Sequence, residues 1–187
     1  MIEPATVAET PRGFVHHLAY VHPMACVDET VQIGPGTKVW QFATVIRGTV
    51  LGLDCTVSAT ACLDGPVIGD RCIVSPGVDM GPGFVVEDDV FIGPHVVLCN
   101  DFWPRTHKRG FDYDALRSGK IVSIRVCDGA SIGAGARIMP GVTIGKGAMV
   151  AANAVVTANV PEGCLWTRDG DIRAIRDEYL ITRVRAC

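Results

Sequence analysis

Aliphatic residues recur at every sixth position along most of the chain. The first run is Val21, Val27, Ile33, Val39, Val45, Leu51, Val57 and Leu63. The step shortens to five at Ile68, then six resumes through Val74, Met80, Val86, Ile92 and Leu98. A third run is Val126, Ile132, Ile138, Ile144, Val150 and Val156. Glycine often follows the aliphatic residue, as in Ile33-Gly34, Leu51-Gly52, Ile92-Gly93 and Ile132-Gly133. Four places after it stands a small or β-branched residue, as in Thr37, Ala43, Cys55, Ala136 and Ala154. A period of six suits neither an amphipathic helix nor an alternating strand. It predicts a short strand followed by a corner, with the aliphatic residue filling the interior and the small one fitting where the chain turns inward. Glycine accepts backbone angles that other residues avoid, so the glycines read as corner geometry. Three units make a triangular coil of about 18 residues. Coils stack at about 4.8 Å, and each buries its faces only against its neighbours. The short step at Leu63-Asp64-Gly65-Pro66-Val67 reads as one tight corner.

The register is lost after Leu98 and returns at Val126. Between them lies a polar, aromatic and charged stretch from Cys99 to Lys120, containing Asn100, Asp101, Trp103, Arg105 and His107. It cannot fill a thin aliphatic core, so it is expected to project, and long loops on rigid scaffolds often carry function. His95, after Gly93-Pro94, is expected to face outward near this break. It is either a base or a solvated residue. His16, His17 and His22 read as structural or solvated. Trp40 and Phe42, on an early coil, could meet a sugar, a neighbouring subunit or their own packing partners.

The expected organisation is an N-terminal segment (1–20), a β-helix domain (21–160) with a loop insertion at about 99–122, and a C-terminal segment (161–187). Within the last, 171–184 is expected to form a short helix with Ile172, Ile175, Tyr179 and Ile181 as its apolar positions.

Composition narrows the function. The 187 residues are 48% hydrophobic but only 6% aromatic, with 21 glycines, as a thin repetitive core requires. The net charge of −3 comes without a basic block, which argues against nucleic acid, whose phosphates need clustered cations. No apolar run approaches the about 20 residues of a membrane span, and the N-terminus does not read as a signal peptide. A cytoplasmic protein is expected. The eight cysteines include no CxxC pair and read as reduced, several of them in the core.

The hexad register over residues 21–160 resembles the hexapeptide-repeat acyltransferases. This resemblance implies an all-β, left-handed parallel β-helix with a projecting loop, and the left-handed sense comes from it alone. Within that group, Gly93-Pro94, Asn100-Asp101 and Pro104-Arg105 are similar to the pattern of N-acetyltransferases that act on nucleotide-linked amino sugars, particularly 3-amino sugars, for bacterial surface polysaccharides. It implies acetyl transfer from acetyl-CoA to a sugar amine, with no metal. Asn100 would hydrogen-bond the reacting amine, and Asp101 would orient it or accept a proton. His95 and His107 are the candidate bases. Arg105 and Trp103, with Trp40, would contact substrate. The resemblance also implies a homotrimer with the coenzyme between subunits, along the later coils. Small residues at Gly133, Ala134 and Gly135 would admit pantetheine, and Arg137 and Lys146 would meet phosphates. The family's usual Gly-x-Pro-Ala-Arg-like turn is missing after Val160-Pro161, leaving Trp166 and Arg168 as substitutes near adenine.

Three alternatives stay open. One is another O- or N-acyltransferase of the same fold. A second is a γ-type carbonic anhydrase, because Val39 to Gly48 is similar to a coil of that family; it needs three zinc-binding histidines. The third is a non-catalytic scaffold.

Overall fold

The computed structural model describes residues 13–104, 106, 112, 115–116 and 120–175. These residues form 23 short strands in three sheets, joined almost entirely by parallel pairing. The first sheet stacks β1 (Phe14–Val15), β4 (Gln32–Ile33), β7 (Val50–Leu51), β10 (Val67–Ile68), β13 (Phe84–Val86), β16 (Ile124–Val126) and β19 (Thr143–Ile144). The second stacks β2 (Tyr20–Val21), β5 (Lys38–Val39), β8 (Thr56–Val57), β11 (Ile73–Val74), β14 (Phe91–Ile92), β17 (Ser131–Ile132), β20 (Met149–Val150), β22 (Cys164–Trp166) and β23 (Ile172–Ala174). The third stacks β3 (Cys26–Val27), β6 (Thr44–Ile46), β9 (Cys62–Asp64), β12 (Asp79–Met80), β15 (Val97–Leu98), β18 (Arg137–Ile138) and β21 (Val155–Val156).

The chain therefore visits the three sheets in turn, once per coil. Its corners form three edges: the first edge joins the first and second sheets, the second edge joins the second and third, and the third edge returns to the first sheet. The hexad residues stack into interior ladders. In the first sheet Ile33, Leu51, Ile68, Val86, Val126 and Ile144 lie in register, all at most 2% exposed. Burying each such side chain contributes about 1.5–3 kcal/mol. The small corner residues complete the core, and two of them are polar. Thr37 and Thr49 are fully buried because each hydroxyl is bonded to backbone: Thr37 Oγ1 donates to Gly52 O at 2.7 Å, and Thr49 Oγ1 donates to Ile46 O at 2.7 Å. The five-residue step is a corner of the third edge, where buried Pro66 takes the small residue's place.

The glycine after the aliphatic residue has a different reason from the expected one. Gly34, Gly93, Gly133 and Gly145 are absent from the positive-φ positions. Instead, a Cβ on any of them would strike the backbone of the next coil, as at Gly133, where Ala152 N would lie 2.5 Å away. The glycine serves close stacking, not backbone angle.

Carboxylates tie successive coils along the first edge. Asp70 Oδ1 accepts from Leu53 N, and Asp88 Oδ1 from Asp70 N, both at 2.9 Å. Arg71 Nε donates to Asp89 at 2.7 Å, which holds that carboxyl below its usual range.

Both ends differ from the expected boundaries. Pairing begins at Phe14, ahead of Val21. At the other end, the expected helix is not found where it falls on described residues: Ile172–Ala174 is a strand, β23, antiparallel to β22. Its backbone covers the open edge of the last coil, which a helix could not pair with. Tyr179 and Ile181 lie outside the described residues. Among the described residues no helix is long and apolar enough to cross a membrane.

Candidate functional site

The insertion leaves the coil at the third edge, after β15, and returns at Ser123. Its base rests on Gly81-Pro82-Gly83, the corner of the preceding coil. Asn100 places its amide on Gly81, where a Cβ would stand 2.8 Å from Nδ2. Leu116, 6% exposed, lies against Gly83 at a position a Cβ would fill. Asp112 Oδ1 accepts from Ala115 N at 2.8 Å and starts the helical turn that carries Leu116. Ser123 N then donates to Gly83 O at 2.7 Å. Two glycines thus seat both ends of the loop. The sequence signal for this seat is Gly81-Pro82-Gly83 itself, one coil before the break.

Asn100 is half-buried on this seat. Asp101 accepts the Trp103 backbone N–H at Oδ1, at 2.8 Å. Trp103 is 79% exposed. Arg105 and His107 lie outside the described residues. Replacing Gly81 by Ala should separate site from scaffold. The backbone there is not in the positive-φ region, so the alanine itself is tolerated and restricts the unfolded chain. Its methyl displaces the Asn100 amide by roughly 1 Å, a shift that can cost about 100-fold in rate. We expect turnover at least tenfold lower with thermal midpoint unchanged or slightly raised, checked by steady-state assay and calorimetry.

His95 sits on the second edge, at the other end of β15 from Asn100. Five residues of near-extended chain separate them, on the order of 15 Å, so one subunit does not bring them together. The imidazole is exposed and lies over Gly77, whose missing side chain makes the room. One coil later on the same edge come Gly133, Ala134 and Gly135, with Gly135 N donating to Pro94 O at 2.8 Å. Ala151-Ala152-Asn153 follow, then Arg168 about two coils, or 10 Å, beyond Ala134. Ala134, Arg137 and Arg168 are exposed.

Three of the sequence-derived coenzyme contacts change. Gly133 is a stacking position covered by the next coil. Lys146 lies on the first edge, away from the small-residue track. There it lines an open cleft of about 370 Å³ with Asp88, Asp89 and Asp128, its Nζ 4.0 Å from Asp128. With three carboxylates against two cations, Lys146 and Arg71, this cleft is net negative and disfavours phosphate. Trp166 is 5% exposed and donates from Nε1 to Val155 O at 3.1 Å. It fills the core under the last coil and is unavailable to adenine.

Trp40 lies on the second edge three coils before His95, about 14 Å away. Its ring meets Tyr20 edge-on at 5.7 Å. His16 and His22 each accept a backbone N–H at Nδ1, from Leu18 and Met24. Arg47, in the stretch similar to carbonic anhydrase, pairs with Asp64 at 3.2 Å. Among the described residues, no three His, Cys, Asp or Glu side chains are grouped to hold a metal ion.

Residues 123–158 match the family model for the bacterial transferase hexapeptide (six repeats). The chain is a left-handed β-helix built of hexapeptide repeats. No curated protein matches it by sequence. Its hexapeptide coil is also seen in solved structures. An N-acyltransferase from Bacillus cereus, an Asp-to-Asn variant in complex with dTDP and coenzyme A, is 17% identical over 79% of this chain and 85% of its own, with TM-score 0.64. The UDP-N-acetylglucosamine acyltransferase of Francisella novicida is 16% identical, covering 88% and 68%, at TM-score 0.55. A perosamine N-acetyltransferase from Caulobacter crescentus, a His-to-Asn variant in complex with CoA and GDP-perosamine, is 21% identical over 84% of this chain, at TM-score 0.50. The hexapeptide chain spans 57% of that enzyme's length.

Proposed function

We propose that this protein is an acetyl-CoA-dependent N-acetyltransferase acting on the amino group of a nucleotide-linked amino sugar, a 3-amino sugar made for surface polysaccharide. The observation that carries the reading is the seated insertion: it holds Asn100 at a fixed point on the third edge of a rigid β-helix whose second edge is lined with small residues. Two solved structures of this fold hold a coenzyme A together with a nucleotide or nucleotide sugar.

The coenzyme runs along the second edge, over Ala134 and Gly135, with Arg137 and Arg168 meeting its phosphates and the thioester toward His95. The sugar amine is held at Asn100, with Arg105 on the charged part of the substrate. A neutral amine attacks the thioester carbon, the carbon–sulfur bond breaks, and CoA leaves as the thiol once the amine loses its proton. Positioning supplies much of the rate, and backbone N–H groups stabilise the oxyanion.

His95 and Asn100 on opposite edges of one chain make the site incomplete in a monomer. A homotrimer closes it by setting the second edge of one subunit against the third edge of the next. His95, or His107 on the loop, then takes the amine's proton. Titration calorimetry and solution mass test this directly: one acetyl-CoA per chain is expected to bind a species of three-chain mass. A monomer, or no binding, would reject the arrangement.

A second reading is O-acylation. The exposed imidazole of His95 favours it, since a hydroxyl needs a base more than an amine does. Acceptors bearing only hydroxyl groups would then be acylated as fast as amino sugars.

A further inference from the structure

Trp103 is the most exposed large apolar residue among those described, at 79%, and Phe102 beside it is 57% exposed. The other two tryptophans are engaged elsewhere, Trp40 with Tyr20 and Trp166 in the core. Yet Trp103 is not carried on a loose chain. Its backbone N–H donates to Asp101 Oδ1 at 2.8 Å, closing a turn of the kind Asp and Asn side chains make two residues on. That turn springs from Asn100, fixed on Gly81, and Leu116 on Gly83 holds the loop's far side. A large ring held in water by a fixed turn marks a contact surface.

Its place selects the contact. Trp103 lies three positions after Asn100, a backbone reach of at most about 10 Å. With the sugar amine at Asn100, the indole's own length extends this reach along the sugar ring and diphosphate to the base, and of these groups the base alone presents a flat π face to stack on. The adenine of the coenzyme belongs at the Arg168 end of the second edge, three coils or about 14 Å along the axis from the level of His95 and Asn100. We infer that Trp103 stacks on the base of the nucleotide-linked substrate, and that Asp101 is a positioning residue that presents this ring through the turn, not the acceptor of the amine's proton. Both the identity of the substrate and the choice of its base as the stacking group rest on the transferase reading above. Stacking tolerates any base, since every base has a π face. On this account Trp103 supplies affinity for the nucleotide and leaves its identity to other groups.

The test uses the full chain carrying Trp40→Phe, so that emission comes from Trp103 and the buried Trp166. UDP, GDP and dTDP are titrated without acetyl-CoA. At least one should quench the emission, and Trp103→Ala should abolish the effect. Asp101→Ala should weaken nucleotide binding about tenfold, and Asp101→Asn, which rebuilds the turn acceptor, should recover it. In turnover with nucleotide-linked amino sugars, the losses from Trp103→Ala and Asp101→Ala should fall on KM. The inference is overturned if none of the three nucleotides quenches, or if quenching survives Trp103→Ala. It is also overturned if Asp101→Asn lowers kcat as much as Asp101→Ala does, which would put Asp101 at proton transfer. Nucleotide quenching without acetyl transfer would sink the transferase reading and keep the inference. Acetyl transfer with KM indifferent to Trp103→Ala would do the reverse.

Discussion

Replacing Asn100 by alanine is expected to lower turnover about 100-fold, in line with the loss of one positioned hydrogen-bonding group at a reacting centre. The fold should not notice. Asn100 is half-buried, and its amide rests on the bare backbone of Gly81, so truncation removes little packing. Surface substitutions of this kind stay within about 0.5 kcal/mol, or about 2 °C for a chain of this size. Steady-state kinetics beside a thermal melt and solution mass checks both halves. Turnover within twofold of the parent would remove Asn100 from the site. A collapsed melt would make it structural instead. Gly81→Ala moves the same amide without deleting it, so the two variants should lose activity by the same route.

Replacing Gly133 by alanine is expected to have the largest effect on stability. A Cβ there would stand 2.5 Å from Ala152 N, 2.8 Å from Val150 O and 2.9 Å from Ala151 C. All three are backbone atoms of the next coil, paired through Ile132–Val150 and unable to swing aside as a side chain would. Forcing the coils apart costs about 3 kcal/mol at the upper end of overpacking, a fall of roughly 6–12 °C in the thermal midpoint. The same substitution at Gly135, where the neighbour is the Asn153 side chain, meets a group that can turn away. Gly135 has φ of +70°, so its cost is a backbone one of about 1 kcal/mol. A melt of the two variants side by side checks this: equal midpoints would contradict the stacking account.

The hexads were legible because one residue in six must face a narrow interior, and no other arrangement uses that period. The insertion was legible as a failure of the same rule. The reason for the Ile-Gly step was not, since a missing Cβ serves backbone angle and backbone contact alike, and only the neighbouring coil distinguishes them. Lys146 read as a phosphate contact because edge membership is not written in the residue type; each six residues bring the next kind of corner, and Lys146, thirteen after Gly133, falls two corners on at the first edge, where Asp88, Asp89 and Asp128 gather. Trp166 read as an adenine contact because it ends the repeat, whereas the last coil needs a large side chain to close the interior. The strand at Ile172–Ala174 was hidden for a related reason. Its apolar spacing suits a helix, but the open edge of β22 rewards pairing. The role of Gly81 and Gly83 lies in what rests on them, Asn100 and Leu116, which are distant in sequence.

Acyl transfer to a nucleotide-linked amino sugar is the activity proposed for this chain. The most direct measurement is release of free CoA from acetyl-CoA by the purified chain, against a panel of such sugars, with the product weighed by mass spectrometry. The account expects at least one sugar to gain a single acetyl group on its amine, in step with CoA released, and its hydroxyl counterpart to react far more slowly. Acetyl-CoA left intact beside every sugar of the panel would contradict it.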